Sequence, residues 1–181
     1  MKSKIEVVIT GKSKGDALIV PYSHAGGLQL TASGKPMIYR VPWYEVRIEG
    51  GGSYKAIRFG LQNKGETPPP PSRPCDAGLS AGRTCTPTWV PGYSPHSFAG
   101  GSRAGAWRLL PGKGFLVHEG ADWNKRQVGG SLGCVEILDG QWNGFLGELE
   151  ALGGQPCPSL GAAGRLKIRI EPATYPMATL T

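Results

Sequence analysis

Trp43, Glu45, Arg47 and Glu49 alternate with Tyr44, Val46 and Ile48, and Arg165-Leu-Lys-Ile-Arg-Ile170 alternates just as strictly. A period of two sends every second side chain to one face, the pattern of a strand with one face buried. Glycine (29) and proline (16) break such runs again and again along the chain. Short strands and many turns fit that punctuation, and a helical bundle does not. Further strands are expected at Ile5 to Ile9, Ala17 to Tyr22, Gly27 to Ala32, Pro36 to Val41, Tyr54 to Leu61, Ala106 to Leu110, Gly114 to His118 and Gly133 to Leu138. One segment has helical spacing: Trp142, Phe145, Leu146, Leu149 and Leu152 lie on one helix face, with Asp139 as the expected N-cap and Gly153-Gly154 as the stop. The expectation is a single mainly β domain over residues 1–181, sandwich- or barrel-like, with one or two short helices.

From about residue 62 to 105 the alternation dissolves into a proline-rich stretch that contains Cys75 and Cys85. It reads as an ordered insertion beside the site, pinned by a disulfide if the compartment is oxidising. Cys75–Cys85 is the first choice of pairing; Cys75–Cys157 and free thiols stay open. No CxxC pair or Cys/His ligand spacing points to zinc, and neither metal nor cofactor is expected. The formal net charge of +7 is scattered, without a nucleic-acid-binding motif. It suits solubility and, weakly, a polyanionic partner. No apolar run approaches a membrane span. Met1-Lys-Ser-Lys-Ile-Glu-Val-Val-Ile-Thr10 lacks the apolar region of a signal peptide, so synthesis in the cytoplasm without a leader is expected.

The chemistry gathers in Gly114-Phe-Leu-Val-His118-Glu119-Gly120 and Gly130-Ser131-Leu132-Gly133-Cys134-Val135-Glu136. A histidine ends one apolar run and a cysteine opens the next. Joined by a loop, two such strands can bring imidazole and thiol together. That is the minimum for nucleophilic catalysis, because the thiolate attacks and a neighbouring base must make it. Gly133 lets the backbone approach a substrate closely, and the amides of Gly133 and Cys134 suit an oxyanion hole. Ser131 can fix the turn. The carbonyl or the carboxylate of Glu119 can orient the His118 ring. His24 and His96 are lone histidines near turns. A papain-like peptidase has cysteine first, opening a helix, and histidine later; the order here is reversed.

This ordered set resembles the catalytic domain of the L,D-transpeptidases. That family carries a histidine, a loop, and a Ser/Thr-His-Gly-Cys segment leading into an apolar strand. The match here is His118, Ser131, Gly133, Cys134 and Val135, within roughly residues 105–140. Leu132 stands where the family has its second histidine, and Glu136 where it has Arg or Asn. The twelve residues between His118 and Ser131 make a shorter loop than usual. The resemblance implies a β-rich fold, Cys134 as nucleophile, and His118 as its partner, oriented by the Glu119 carbonyl. It also implies acyl transfer on peptidoglycan stem peptides, with terminal D-alanine removed or exchanged for another D-amino acid. Ser131, Leu132, Trp107 and Arg108 are the candidates for holding substrate, Arg103 a further one. Strand alternation puts Trp107 and Arg108 on opposite faces. Similar leaderless domains occur among antibacterial effectors delivered by type VI secretion. That likeness implies action in a target bacterium's periplasm, a secretion-system component as carrier, and a cognate immunity protein. The non-enzyme alternative is a wall-binding or phage-type module that keeps the fold without the activity.

Overall fold

The computed structural model describes residues 2–20, 30–62, 73–75, 80–94, 103–125, 133–174 and 178–181. The chain is mainly β, as expected. Its strands are β1 (Ile5–Ile9), β2 (Gly15–Ile19), β3 (Tyr39–Ile48), β4 (Ser53–Ile57), β5 (Gly60–Gln62), β6 (Arg73–Cys75), β7 (Arg83–Cys85), β8 (Thr88–Pro91), β9 (Gly105–Arg108), β10 (Leu116–Glu119), β11 (Val135–Ile137), β12 (Leu166–Ile170) and β13 (Thr179–Leu180). Two helices, α1 (Trp142–Gly153) and α2 (Cys157–Ala162), lie between β11 and β12.

The main sheet runs β7-β12-β1-β3-β4-β11-β10-β9-β8, with β2 and β13 paired to β3 beside this path. Laid flat, nine strands would span about 38 Å. Yet the two ends of the path, β7 and β8, are separated in the chain only by Thr86 and Pro87. Three Cα–Cα steps reach at most about 11 Å. The sheet therefore has to curl until its ends come together. The stretch 62–105, read as an insertion, thus supplies both terminal strands of the main sheet. Gly105 allows the close packing at that end: a Cβ there would lie 2.0 Å from the Trp89 ring.

The core fills the curl. Ile5, Val7, Ile9, Val46, Ile48, Val117, Val135, Ile137, Ile168 and Ile170 pack with Trp142, Phe145, Leu146 and Leu149 of α1. A smaller cluster (Ala17, Ile19, Tyr39, Val41, Ile57, Leu138 and Ala178) forms where β2 and β13 flank β3.

Local outcomes follow from backbone chemistry. Pro36 to Val41 and Trp43 to Glu49 are not two strands. β3 runs through Pro42, which lies between the segment paired to β13 and the segment paired to β4. A missing N–H costs least in such a gap. Tyr54 to Leu61 divides instead into β4 and β5. Of the expected strand Gly27 to Ala32, only residues from Leu30 on are described, and Leu30 forms an isolated bridge with Pro36. Asp139 is not the N-cap of α1. Gln141 holds that position without a side-chain cap, and Asp139 takes a left-handed φ of 56°. Its carboxylate pairs with Lys55 Nζ at 2.8 Å. Gly154, with φ 67°, ends α1. The thiols of Cys85 and Cys157 are free and buried, so neither proposed disulfide forms. Burial, with Glu150 adding to it, pushes the Cys157 thiol up to about 12.

Candidate active site

β10 and β11 run parallel, with Val117 beside Val135, His118 beside Glu136 and Glu119 beside Ile137. A loop joining parallel strands must carry the chain back along the strand before it re-enters the sheet. The residue directly across from His118 is consequently Glu136. Extending the register by one pair sets Cys134 beside Leu116. Val117, Val135 and Ile137 point into the main core. By alternation, His118, Cys134 and Glu136 share the opposite face. His118 and Cys134 are one diagonal step apart, about 8 Å between Cα atoms in ideal strand geometry. Gly120 permits the close strand approach: a Cβ there would meet the Glu136 Cβ at 2.7 Å.

His118 is buried, with 3% of its surface exposed. Its Nδ1 lies 2.6 Å from the carbonyl oxygen of Glu119. A carbonyl only accepts, so Nδ1 carries a proton and donates it. In the neutral ring Nε2 is then the atom that can take one. Nε2 is 3.9 Å from Oε1 of Glu136, itself almost fully buried. The Tyr93 ring, from the turn after β8, lies against the imidazole with a centroid separation of 5.3 Å. The Tyr93 carbonyl accepts from the Gly105 amide at the start of β9, which ties the turn to the sheet.

Cys134 is half-buried, and its Sγ–H donates to the Gly114 carbonyl at 3.5 Å. Burial pushes the thiol up to about 11; a backbone contact at Leu116 pulls the other way, and the Glu136 carboxylate adds to the rise. At neutral pH Cys134 is held as a thiol. A thiol so held can act as a nucleophile only as it loses the proton. Gly133 has φ 129°, a conformation open to glycine, which turns the chain into Cys134.

The structure separates the remaining candidates. Ser131 and Leu132 lie outside the described residues. Trp107 is not at a binding surface. It pairs with Val117, is fully buried in the core and packs edge-on against Trp89 at 5.0 Å. Arg108 pairs with Leu116 and is exposed, so of the two it is the one on the His118 face. Arg103 is held by two bonds to the Glu150 carboxylate, at 2.8 and 2.6 Å. Residue type and spacing assign no role at the imidazole to Tyr93 or Glu136. The signal for the second was an acid inside the apolar run Val135-Glu-Ile-Leu138, two residues after the cysteine. Among the described residues, no group of three or more His, Cys, Asp or Glu side chains could hold a metal ion, and no helix is long and apolar enough to cross a membrane.

No family model, curated protein or solved structure matches the chain. What the site itself defines is a buried, backbone-oriented histidine on the same sheet face as a cysteine.

Proposed function

We propose that this protein is a cysteine acyl-transfer enzyme acting on peptidoglycan stem peptides, removing terminal D-alanine or exchanging it for another D-amino acid. The observation that carries the reading is the 2.6 Å bond from His118 Nδ1 to the Glu119 carbonyl, on the strand beside Cys134. It fixes the tautomer in which Nε2 accepts a proton, as activation of a thiol requires. The substrate class rests on the L,D-transpeptidase resemblance.

In this mechanism Cys134 Sγ attacks the diaminopimelate carbonyl as its proton passes to His118 Nε2. The oxyanion is held by the amides of Gly133 and Cys134. The C–N bond breaks, and Nε2 returns the proton to the departing D-alanine amine. Water, or the amine of an incoming D-amino acid, then attacks the thioester and gives a proton to Nε2. The sulfur leaves as thiolate and recovers that proton. Arg108, exposed on the same face, suits the carboxylates of the stem.

A second reading, a wall-binding module without activity, is favoured by one observation: the Cys134 thiol is pushed up to about 11 rather than down. One assay separates the two. Purified protein incubated with disaccharide tetrapeptide is expected to release D-alanine, and with added D-methionine to give the mass-shifted tetrapeptide. An unchanged tetrapeptide in both arms would refute the enzyme reading. The effector role extends the proposal from the resemblance alone. Its expected result is toxicity on export to the periplasm and none on expression in the cytoplasm; equal toxicity in both rejects a wall target.

A further inference from the structure

We propose that Glu136 is a positioning residue for His118, a buried carboxylate set across the parallel β10–β11 pair so that its charge faces Nε2. The inference deepens the acyl-transfer reading and, as a statement about catalysis, rests on it. As a statement about the His118–Glu136 pair it stands on geometry alone.

The sheet register fixes the juxtaposition, because His118 and Glu136 are direct partners. Their closest atoms, Nε2 and Oε1, are 3.9 Å apart, with side-chain exposures of 3% and 2%. The Glu119 carbonyl already accepts the Nδ1–H hydrogen bond, so the ring edge left toward the carboxylate is Nε2. Water is excluded from both groups, which preserves their interaction against screening. During attack the thiol proton arrives on Nε2, and the ring becomes a cation. Glu136 then supplies a fixed opposite charge at the place where positive charge develops. The same carboxylate opposes a thiolate on Cys134 at rest, so it favours proton transfer coupled to attack over a standing thiolate.

The sign follows from the charges. An opposite charge favours the charged imidazole, so Glu136 keeps His118 protonated to higher pH. A like charge disfavours the thiolate, so Glu136 keeps Cys134 protonated to higher pH as well. Removing the charge moves both titrations to lower pH. Other charged and titratable groups lie on this pair or on the elements beside it. Cys134 leads into β11, Tyr93 covers the ring from the β8–β9 turn, and Glu119 lies on β10 itself. Arg108 is on β9. The buried Arg58, just past β4, donates to the Thr10 carbonyl at 2.7 Å and lies over the Tyr44 and Phe59 rings. All are common to Glu136→Gln and the parent chain, so the difference between the two reports Glu136.

Two measurements without peptidoglycan test this. The His118 imidazole is titrated by NMR, its signal assigned with His118→Gln. The alkylation rate of Cys134 by iodoacetamide is followed against pH by peptide mass mapping. In Glu136→Gln both midpoints are expected to fall, that of His118 by about one pH unit or more. Glu136→Asp, which keeps the charge, is expected to restore most of the His118 midpoint. Glu136→Met, apolar and of similar size, gives the same comparison if the glutamine variant does not fold. A His118 midpoint unmoved in the neutral variant overturns the proposal, even if turnover falls, since a purely structural role would lower activity without moving the titration. Tetrapeptide turnover by the parent chain is scored separately. Its absence alongside shifted titrations refutes the acyl-transfer reading and leaves the pair standing.

Discussion

Cys134→Ala is expected to lower D-alanine release from disaccharide tetrapeptide by about 10³-fold or more, with little change in stability. The magnitude follows from losing the atom that forms the acyl intermediate in the proposed mechanism. The small cost in stability follows from a half-buried side chain whose thiol makes a weak contact to the Gly114 carbonyl. His118→Ala should cost a comparable factor, and the double variant little more than either alone. Groups that act as one unit are not additive. Hydrolysis followed by mass spectrometry gives the first factor, and a thermal melt gives the second. A Cys134→Ala protein that keeps a tenth of its activity would remove the thiol from the mechanism.

Trp142→Ala is expected to be the most destabilising change among the features described, by about 3–5 kcal/mol. Trp142 is buried and stacks on Phe145 at 5.6 Å. Its Nε1–H donates to the Arg103 carbonyl at 3.0 Å. The Arg103 amide donates in turn to Asn143 Oδ1 at 2.9 Å, so the start of α1 grips the chain entering β9. Alanine leaves a cavity in the core and a carbonyl without this donor. For a chain of this size the loss corresponds to a fall in Tm of roughly 6–20 °C. Trp142→Phe keeps a stacked ring and loses the donor, and should cost about 1–2 kcal/mol. Urea unfolding of the two variants checks both values. A loss below about 1 kcal/mol for alanine would show that this corner repacks.

Elements with a strong internal period were legible in the sequence. β1, β12 and α1 fall where the apolar residues of Ile5 to Ile9, Arg165 to Ile170 and Trp142 to Leu152 set them. Elements that owe their structure to distant partners were not. β7 and β8 are three- and four-residue strands among prolines, and they exist because β12 and β9 are there to pair with. α2 was hidden by Pro156 and Pro158, although proline is harmless in a first turn, where its N–H is not needed. At the site, His118, Gly133 and Cys134 could be singled out by residue type and spacing. Their arrangement could not, since it depends on β10 and β11 being parallel. An antiparallel pairing would have joined His118 to a different neighbour. The parallel register puts an acid there instead. The same parity explains Trp107, whose strand position turns it into the core.

β1 pairs in parallel with β12, so residues 5–9 lie against residues 166–170, the third and second strands of the path that starts at β7. The chain therefore cannot complete this ladder until residue 170 has been made. Val7, Val8 and Ile9 are made long before Ile168, Arg169 and Ile170, which pair with them. Contacts this remote in sequence slow folding, because a long loop must close before they return any stabilisation. The sheet that carries the thiol and the imidazole accordingly stays open at β1 until residue 170 has left the ribosome, and a chain cut short before that point keeps an unpaired apolar edge there.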